Sequence, residues 1–255
     1  MQDSEAVRFT LLDGGTGIDD DALYRLYDYP DTGGAVVRGN AIASLDGAAT
    51  TGGTSGGLGG PGDRRLFAVL REVADVIVVG AGTARAENYG GARMTVAQRQ
   101  ARQARGQSEV PPIALVTRSG AIEHDLAVLT DSEVTPLVLT CTAQAAGVAA
   151  RLGAAAEVID CSGGDPGEVD LGVLVDQLAQ RGLPRVLTEG GPSLLGAFLA
   201  GDLINEFCLT TAPLRVGGSA VRITGGATEA LTAMRCAHVL TDADGYLYSR
   251  YLRIR

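Results

Sequence analysis

A chain of 255 residues, 45% of them hydrophobic, can bury the core of one large α/β domain or two small ones. Its formal net charge of −9 argues against nucleic acid as the main partner, although an anionic small molecule can still meet a local arginine cluster. All 21 basic residues are arginine, which excludes a Schiff-base lysine, a pyridoxal-phosphate anchor and a P-loop lysine.

No apolar run is long enough to cross a bilayer. Residues 1–13 are acidic and polar, without a basic-then-apolar signal pattern. A cytoplasmic protein with no membrane partner is therefore expected. Cys141, Cys161, Cys208 and Cys236 form no C-x-x-C pair and stand among apolar neighbours. Buried free thiols are expected from them, and no metal site.

Residues 1–34 read as an arm, with Tyr24, Leu26 and Tyr27 available to dock on a partner subunit or on the domain itself. Pro30, Gly33 and Gly34 break the chain, and residues 35–255 read as one domain. Val36–Ser44 reads as the first core strand. Residues 46–62 carry eight glycines. Such a run is either a flexible surface loop or a lid over a site. Asp63 then suits an N-cap, opening a helix with a stripe of Leu66, Phe67, Leu70 and Val73.

Residues 76–79 are continuously apolar, so they form a strand covered on both faces. Gly80-Ala81-Gly82-Thr83-Ala84-Arg85 follows. As a dinucleotide fingerprint this G-x-G-x-x-R is weak, but a glycine turn after a buried strand suits a nucleotide. Residues 95–108, rich in Gln and Arg, read as a solvated helix. Ile113–Val116 is a strand that ends in Thr117-Arg118-Ser119-Gly120. Residues 137–139, 157–159 and 207–211 are further strands. Helices read over 143–152, 171–178 and 194–199, the second ended by Gly182 and Pro184. Residues 236–240 and 246–252 read as a closing hairpin around Asp242-Ala243-Asp244-Gly245.

Strands that alternate with helices imply a mostly parallel sheet covered on both faces, here with an antiparallel C-terminal hairpin. Ligands in such sheets sit beyond the carboxyl ends of the strands. The turn at Glu189-Gly190-Gly191-Pro192-Ser193 lies there. Glycine lets the backbone approach a bulky anion, and the free amides of a helix start favour phosphate. An ordinary tight strand-to-helix turn is the alternative.

Asn40-Ala41-Ile42-Ala43-Ser44-Leu45-Asp46-Gly47, the Gly80–Thr83 turn, Thr188-Glu189-Gly190-Gly191-Pro192-Ser193-Leu194, and Ala212-Pro213 with Gly217-Gly218 together resemble the riboflavin-biosynthesis reductase family. This is the reductase half of the bifunctional deaminase–reductase. The zinc motifs of the deaminase half are not found in this sequence. The Leu26-Tyr27-Asp28-Tyr29-Pro30 arm and Gly60-Pro61-Gly62-Asp63-Arg64 look most like stand-alone actinobacterial members, of which a mycobacterial one is associated with dihydrofolate reduction.

The resemblance implies a dihydrofolate-reductase-like three-layer α/β sandwich that binds NADPH and reduces a C=N bond of a pyrimidine or pterin. It implies cofactor contacts at Ala41, Ser44, Asp46, Gly80, Thr83, Arg85, Glu87 and Thr117. Gly190, Gly191, Pro192, Ser193 and Leu194 would hold the pyrophosphate, and Arg118 the 2′-phosphate. Asn40, Ser44 and Glu189 would face the substrate. Arg71 and Arg93 would hold its ribose phosphate. Arg93, however, follows Asn88-Tyr89-Gly90-Gly91-Ala92 in place of the usual D-D-P-x-L-x-x-R pattern. Asp63 is the candidate proton donor and substrate contact, since a carboxylate under a closed lid can have its pKa raised. A homodimer is implied as well. A binding module or sensor that holds NADP without turnover is the alternative function.

Overall fold

The computed structural model describes residues 7–12, 14–15, 17–226 and 229–254. The reading of residues 1–6 as part of an arm lies outside the described residues. The strands are β1 (Phe9–Leu11), β2 (Gly17–Ile18), β3 (Val36–Ser44), β4 (Val76–Gly80), β5 (Ile113–Val116), β6 (Leu137–Thr140), β7 (Glu157–Asp160), β8 (Arg185–Gly190), β9 (Glu206–Ala212), β10 (Met234–Thr241) and β11 (Leu247–Arg253). The helices are α1 (Asp20–Tyr27), α2 (Pro61–Val73), α3 (Ala81–Ala86), α4 (Val96–Ala104), α5 (Ala127–Thr130), α6 (Thr142–Leu152), α7 (Leu171–Gln180) and α8 (Pro192–Ala200).

These strands form one sheet in the order β2-β1-β10-β11-β9-β3-β8-β4-β5-β6-β7. From β9 to β7 every neighbouring pair is parallel. From β9 outward to β2 every pair is antiparallel. The period of two along the central strands splits the core into two layers. Ile77 and Val79 of β4 pack with Leu66, Leu70 and Val73 of α2. Val76 and Val78 pack with Leu174 of α7 and Leu195 and Phe198 of α8. The result is a three-layer α/β sandwich, with α2 and α8 on opposite faces of the sheet.

The antiparallel part is larger than a closing hairpin, because β1 adds to β10. The described residues before β3 are built into the body: Phe9, Leu23 and Tyr27 are buried in its core. Two arginines tie α1 down. Arg38 donates to the carbonyls of Tyr27 (2.6 Å) and Asp28 (3.2 Å), and Arg250 donates to that of Leu26 (2.7 Å). These carbonyls end a helix, where partners are missing and the dipole is negative. Glu206 holds both guanidiniums, with Arg38 Nε at 2.7 Å and Arg250 Nη2 at 2.7 Å. All three side chains are buried or nearly so. Breaking such a buried cluster leaves charge uncompensated. Glu206→Gln is therefore expected to lower unfolding free energy by about 3 kcal/mol in urea titrations; an unchanged midpoint and slope would contradict this role.

Two sequence expectations change here. The α4 helix is not simply solvated: Arg102 is fully buried. It donates to the carbonyls of Glu72 (2.7 Å) and Ala74 (2.6 Å), where α2 ends. Its neighbour Arg99 stays outside and pairs with Glu133. Of the cysteines, Cys141, Cys161 and Cys208 are buried but Cys236 is exposed, because it lies on β10 where that strand's residues 235–237 face solvent.

Candidate active site

The strands β3, β4 and β8 end at one edge of the sheet, and α3 and α8 start directly from β4 and β8. The glycine-dense stretch returns across this edge before α2 begins on the other face. A cavity of about 750 Å³ opens between them.

The first wall is the turn from β8 into α8. The Gly191 N–H donates to Thr83 Oγ1 at 3.1 Å. A Cβ on Gly191 would stand 2.0 Å from that oxygen, so only glycine fits. Gly190 has φ +86°, a left-handed conformation that also favours glycine. No side chain caps α8, which starts at Pro192. Pro192 has no N–H and the Leu195 N–H bonds to Gly191 O, so the first-turn amides without a partner here are those of Ser193 and Leu194, while Gly82, Thr83, Gly190, Gly191 and Pro192 border the cavity.

The second wall is an ion pair. Glu189, with a side chain 2% exposed, takes Arg71 Nε and Nη2 in bidentate fashion, both at 2.7 Å. Tyr89 donates its hydroxyl to the same carboxylate at 2.8 Å. The Arg71 guanidinium also lies 4.2 Å from the Phe67 ring centroid. Planar bidentate pairing of this kind is strong and geometrically fixed. The Glu189 charge that meets the cavity is thus already neutralised by Arg71 behind it. Burial pushes the Tyr89 phenol well above its ordinary range, so it stays a proton donor.

Asp63 forms the third element. It is the third residue of α2, and Gly60 takes the cap position, so the expected N-cap role is corrected. Freed from capping, its carboxyl turns inward and borders the cavity. Burial raises its pKa, opposed by the Thr210 hydroxyl and the nearby Arg64 charge.

The glycine-dense stretch closes the cavity as a wall, tied at several points. The Ala49 N–H donates to Val221 O (2.8 Å), and the Ser55 N–H to Glu87 Oε1 (2.7 Å). Asp46 accepts from Ser44 Oγ (2.5 Å), Gly217 N (2.7 Å) and Val216 N (3.1 Å). The Ser44 hydroxyl foremost, then these amides, lower its pKa to about 2.

Of the residues singled out in the sequence, Asn40, Ala41, Asp63, Thr83, Glu87, Glu189, Gly190, Gly191 and Pro192 meet around this one cavity. Ser44 and Asp46 fasten the loop from outside its lining. Gly80 caps α3. Thr117 is buried in the sheet, its carbonyl accepting from Thr140 Oγ1 at 2.7 Å. Ser193 and Leu194 follow Pro192 on α8 without bordering the cavity, whereas Leu195 does border it. Three arginines singled out in the sequence lie outside the cavity's lining. Arg85 pairs with Glu123, Arg93 with Asp131 and Arg118 with Glu168, each half-exposed or more and outside the lining. Arg71 stands behind Glu189 and is also outside the lining.

Residues 35–248 match the model of the RibD C-terminal domain. The chain belongs to this family. A relative from Methanothermobacter thermautotrophicus, named 2,5-diamino-6-ribosylamino-4(3H)-pyrimidinone 5′-phosphate reductase, is 33% identical over 183 residues, spanning 72% of this chain and 80% of that one. Among solved structures, a pyrimidine reductase-like protein from Corynebacterium diphtheriae aligns with a TM-score of 0.75 at 29% identity, over 87% of this chain and 92% of its own. RibD of Acinetobacter baumannii aligns with a TM-score of 0.67 at 20% identity, over 88% of this chain and 59% of its own, a likeness of fold.

Several residues of this RibD C-terminal domain's cavity escaped sequence reasoning. Tyr89 sits in the stretch that departs from the usual pattern, and that departure was its signal. Phe67 was read as part of the α2 core stripe but stands at the stripe's edge, bordering the cavity. Val221 and Ile223 also border it, from a stretch without helical or strand periodicity that left nothing to read.

Proposed function

We propose that this chain is an NADPH-dependent reductase that acts on a C=N bond of a ribosylaminopyrimidine phosphate, the substrate class named for its relatives. One observation carries the reading: Thr83 and Gly191, from two separate strand ends, touch at a cavity that also holds Asp63 and Asn40. The cradle fits a dinucleotide. Gly191 is too tight for a Cβ, Gly82 faces open space, and the α8 start has no side-chain cap. The Gly190–Pro192 turn would let the pyrophosphate approach, and the Thr83 hydroxyl with the Ser193 and Leu194 amides would hold it without a lysine. Bound there, the reduced nicotinamide supplies the hydride.

The protein's own part is orientation and a proton. Ile42, Phe67 and Leu195 give the cavity apolar walls suited to flat rings. Reducing an open-chain ribosyl imine to a ribitylamine needs a proton at nitrogen as well as a hydride at carbon. Asp63, whose acid form burial favours, holds that proton. Asn40 offers both a donor and an acceptor for the heterocycle edge.

The reading extends to setting. Three buried free thiols support a reducing, cytoplasmic location. Leu45 and Leu214, both exposed and neighbours through the Leu45 N–H to Leu214 O bond, support a homodimer, which a monomeric mass at micromolar concentration would refute.

The test is the loss of reduced-nicotinamide absorbance when purified protein meets the ribosylaminopyrimidine phosphate, with dihydrofolate in parallel. Turnover of the pyrimidine supports the reading. Turnover of dihydrofolate alone replaces the substrate, and binding of NADPH without any oxidation replaces the enzyme by a binding module.

A further inference from the structure

We propose that Thr210 is a positioning residue for Asp63: its hydroxyl turns the carboxyl toward the cavity and donates to the carboxylate that remains once the proton has passed to the substrate. This rests on the function proposed above and adds the group that keeps its acid in place.

The sheet sets Thr210 beneath Asp63. Cys208 and Ala212 of β9 pack in the core layer that holds α2, so Thr210, between them, faces α2 as well. In register Thr210 lies between Ile42 of β3 and Tyr248 of β11. Ile42 borders the cavity, and Tyr248 belongs to the same core layer. The start of α2 passes close over this row. A Cβ on Gly62 would stand 2.2 Å from the Tyr248 hydroxyl, and one on Gly59 would stand 2.8 Å from Asp63 Oδ2. Thr210 is 2% exposed and outside the cavity lining, so it can act on a substrate only through Asp63. A buried hydroxyl needs a partner, and the Asp63 carboxyl is one. The β-branch restricts the Thr210 rotamer, which fixes where the hydroxyl points.

The neighbouring hydroxyls are already spent. Tyr248 donates to Asp242 at 2.5 Å, and Tyr246 donates to the Leu58 carbonyl at 2.9 Å. Each hydroxyl has one proton to donate, so of these three Thr210 is the one left for Asp63. Arg64, next on α2, favours the ionised form of Asp63. Asp242 and Asp244 of the β10–β11 turn act on the two phenols, which burial foremost keeps protonated. Of the other carboxylates on the cavity, Glu189 is bound to Arg71 and Glu87 accepts the Ser55 N–H.

In the reduction the imine carbon takes a hydride, and the π pair of the C=N bond takes the Asp63 proton at nitrogen. A secondary amine, the oxidised nicotinamide and the Asp63 carboxylate result, and a proton from solvent restores the acid. The Thr210 O–H thus meets a neutral carboxyl before the transfer and a full charge after it, so its bond strengthens as the proton leaves.

The test is the pH profile of kcat in the wild type, Thr210→Val, Thr210→Ala and Thr210→Ser. A hydrogen bond to a charged group is worth about 10- to 100-fold. Without the hydroxyl, kcat on the acid plateau is expected to fall about tenfold, and the descending limb to move up by about one pH unit. NADPH affinity, read by fluorescence titration, stays the same, and serine restores both plateau and limb. A limb that stays in place in Thr210→Val and Thr210→Ala overturns the proposal, as does a serine variant that behaves like alanine, or a loss of NADPH affinity. The titration of the Asp63 carboxyl, read by carbon-13 NMR of aspartate-labelled protein and assigned with Asp63→Asn, needs no turnover. It is expected to move to higher pH in Thr210→Val. A titration that does not move sinks the Thr210 role even if the protein reduces the pyrimidine. One that moves in a protein without turnover leaves the hold of Thr210 on Asp63 in place and sinks the reductase reading instead.

Discussion

Asp63→Asn is expected to lower kcat on the pyrimidine about 100-fold, the scale of a lost general acid, while NADPH affinity changes less than about twofold. Asparagine keeps the shape but has no acid proton to give. The pH dependence follows from the direction of the Asp63 shift. Burial favours its acid form, so turnover in the wild type is high below the raised pKa and falls as pH rises through it. The variant lacks that limb. Stability follows pH in the same direction. A carboxyl whose folded pKa lies above its unfolded value contributes stability fully below the unfolded pKa. That contribution is lost as pH rises through the folded one. Above the raised pKa the ionised, buried carboxylate is a cost, so the melting temperature of Asp63→Asn relative to the wild type should rise with pH. Such a gain in stability at the expense of turnover marks a strained functional group. Full turnover with asparagine, or a stability difference that does not change with pH, would remove Asp63 from the mechanism.

Gly191→Ala is expected to weaken NADPH binding at least about tenfold, or about 1.4 kcal/mol. The new Cβ would fall 2.0 Å from Thr83 Oγ1, whereas the Gly191 backbone itself, at φ −42°, accommodates alanine. The effect is thus steric and local to one contact. Removing the oxygen should relieve it: Gly191→Ala with Thr83→Ala is expected to bind better than Gly191→Ala alone. Such coupling is what a double-mutant cycle measures. Strictly additive effects would mean that the two turns do not share a site.

The central sheet was legible because its residues announce burial locally. Four consecutive apolar residues, Val76 to Val79, can only be a strand covered on both faces, and that is how they pack. Val36–Ser44 was readable for similar reasons, and the glycines after β8 marked the turn that meets Thr83. What could not be read depends on pairing at a distance. β1 and β2 are three and two residues long and exist through β10, more than 200 positions away. Arg71 meets Glu189 across 118 positions, and nothing near either residue predicts it. Arg102 lies between the half-buried Arg99 and Arg105 in a similar sequence context, yet of the three it is the one fully buried at the end of α2. The sequence could nominate arginines for phosphate, but which of them already hold a carboxylate is a property of the folded chain.

The central claim is that one edge of the sheet brings a reduced nicotinamide and a flat heterocycle together in a single cavity. The most direct measurement is single-turnover transfer of deuterium from the C4 position of labelled NADPH to the ribosylaminopyrimidine phosphate, followed by mass spectrometry of the product. The account predicts one deuterium per product molecule, at the carbon of the former C=N bond. Tightly bound NADPH that keeps its label in the presence of the pyrimidine would contradict it.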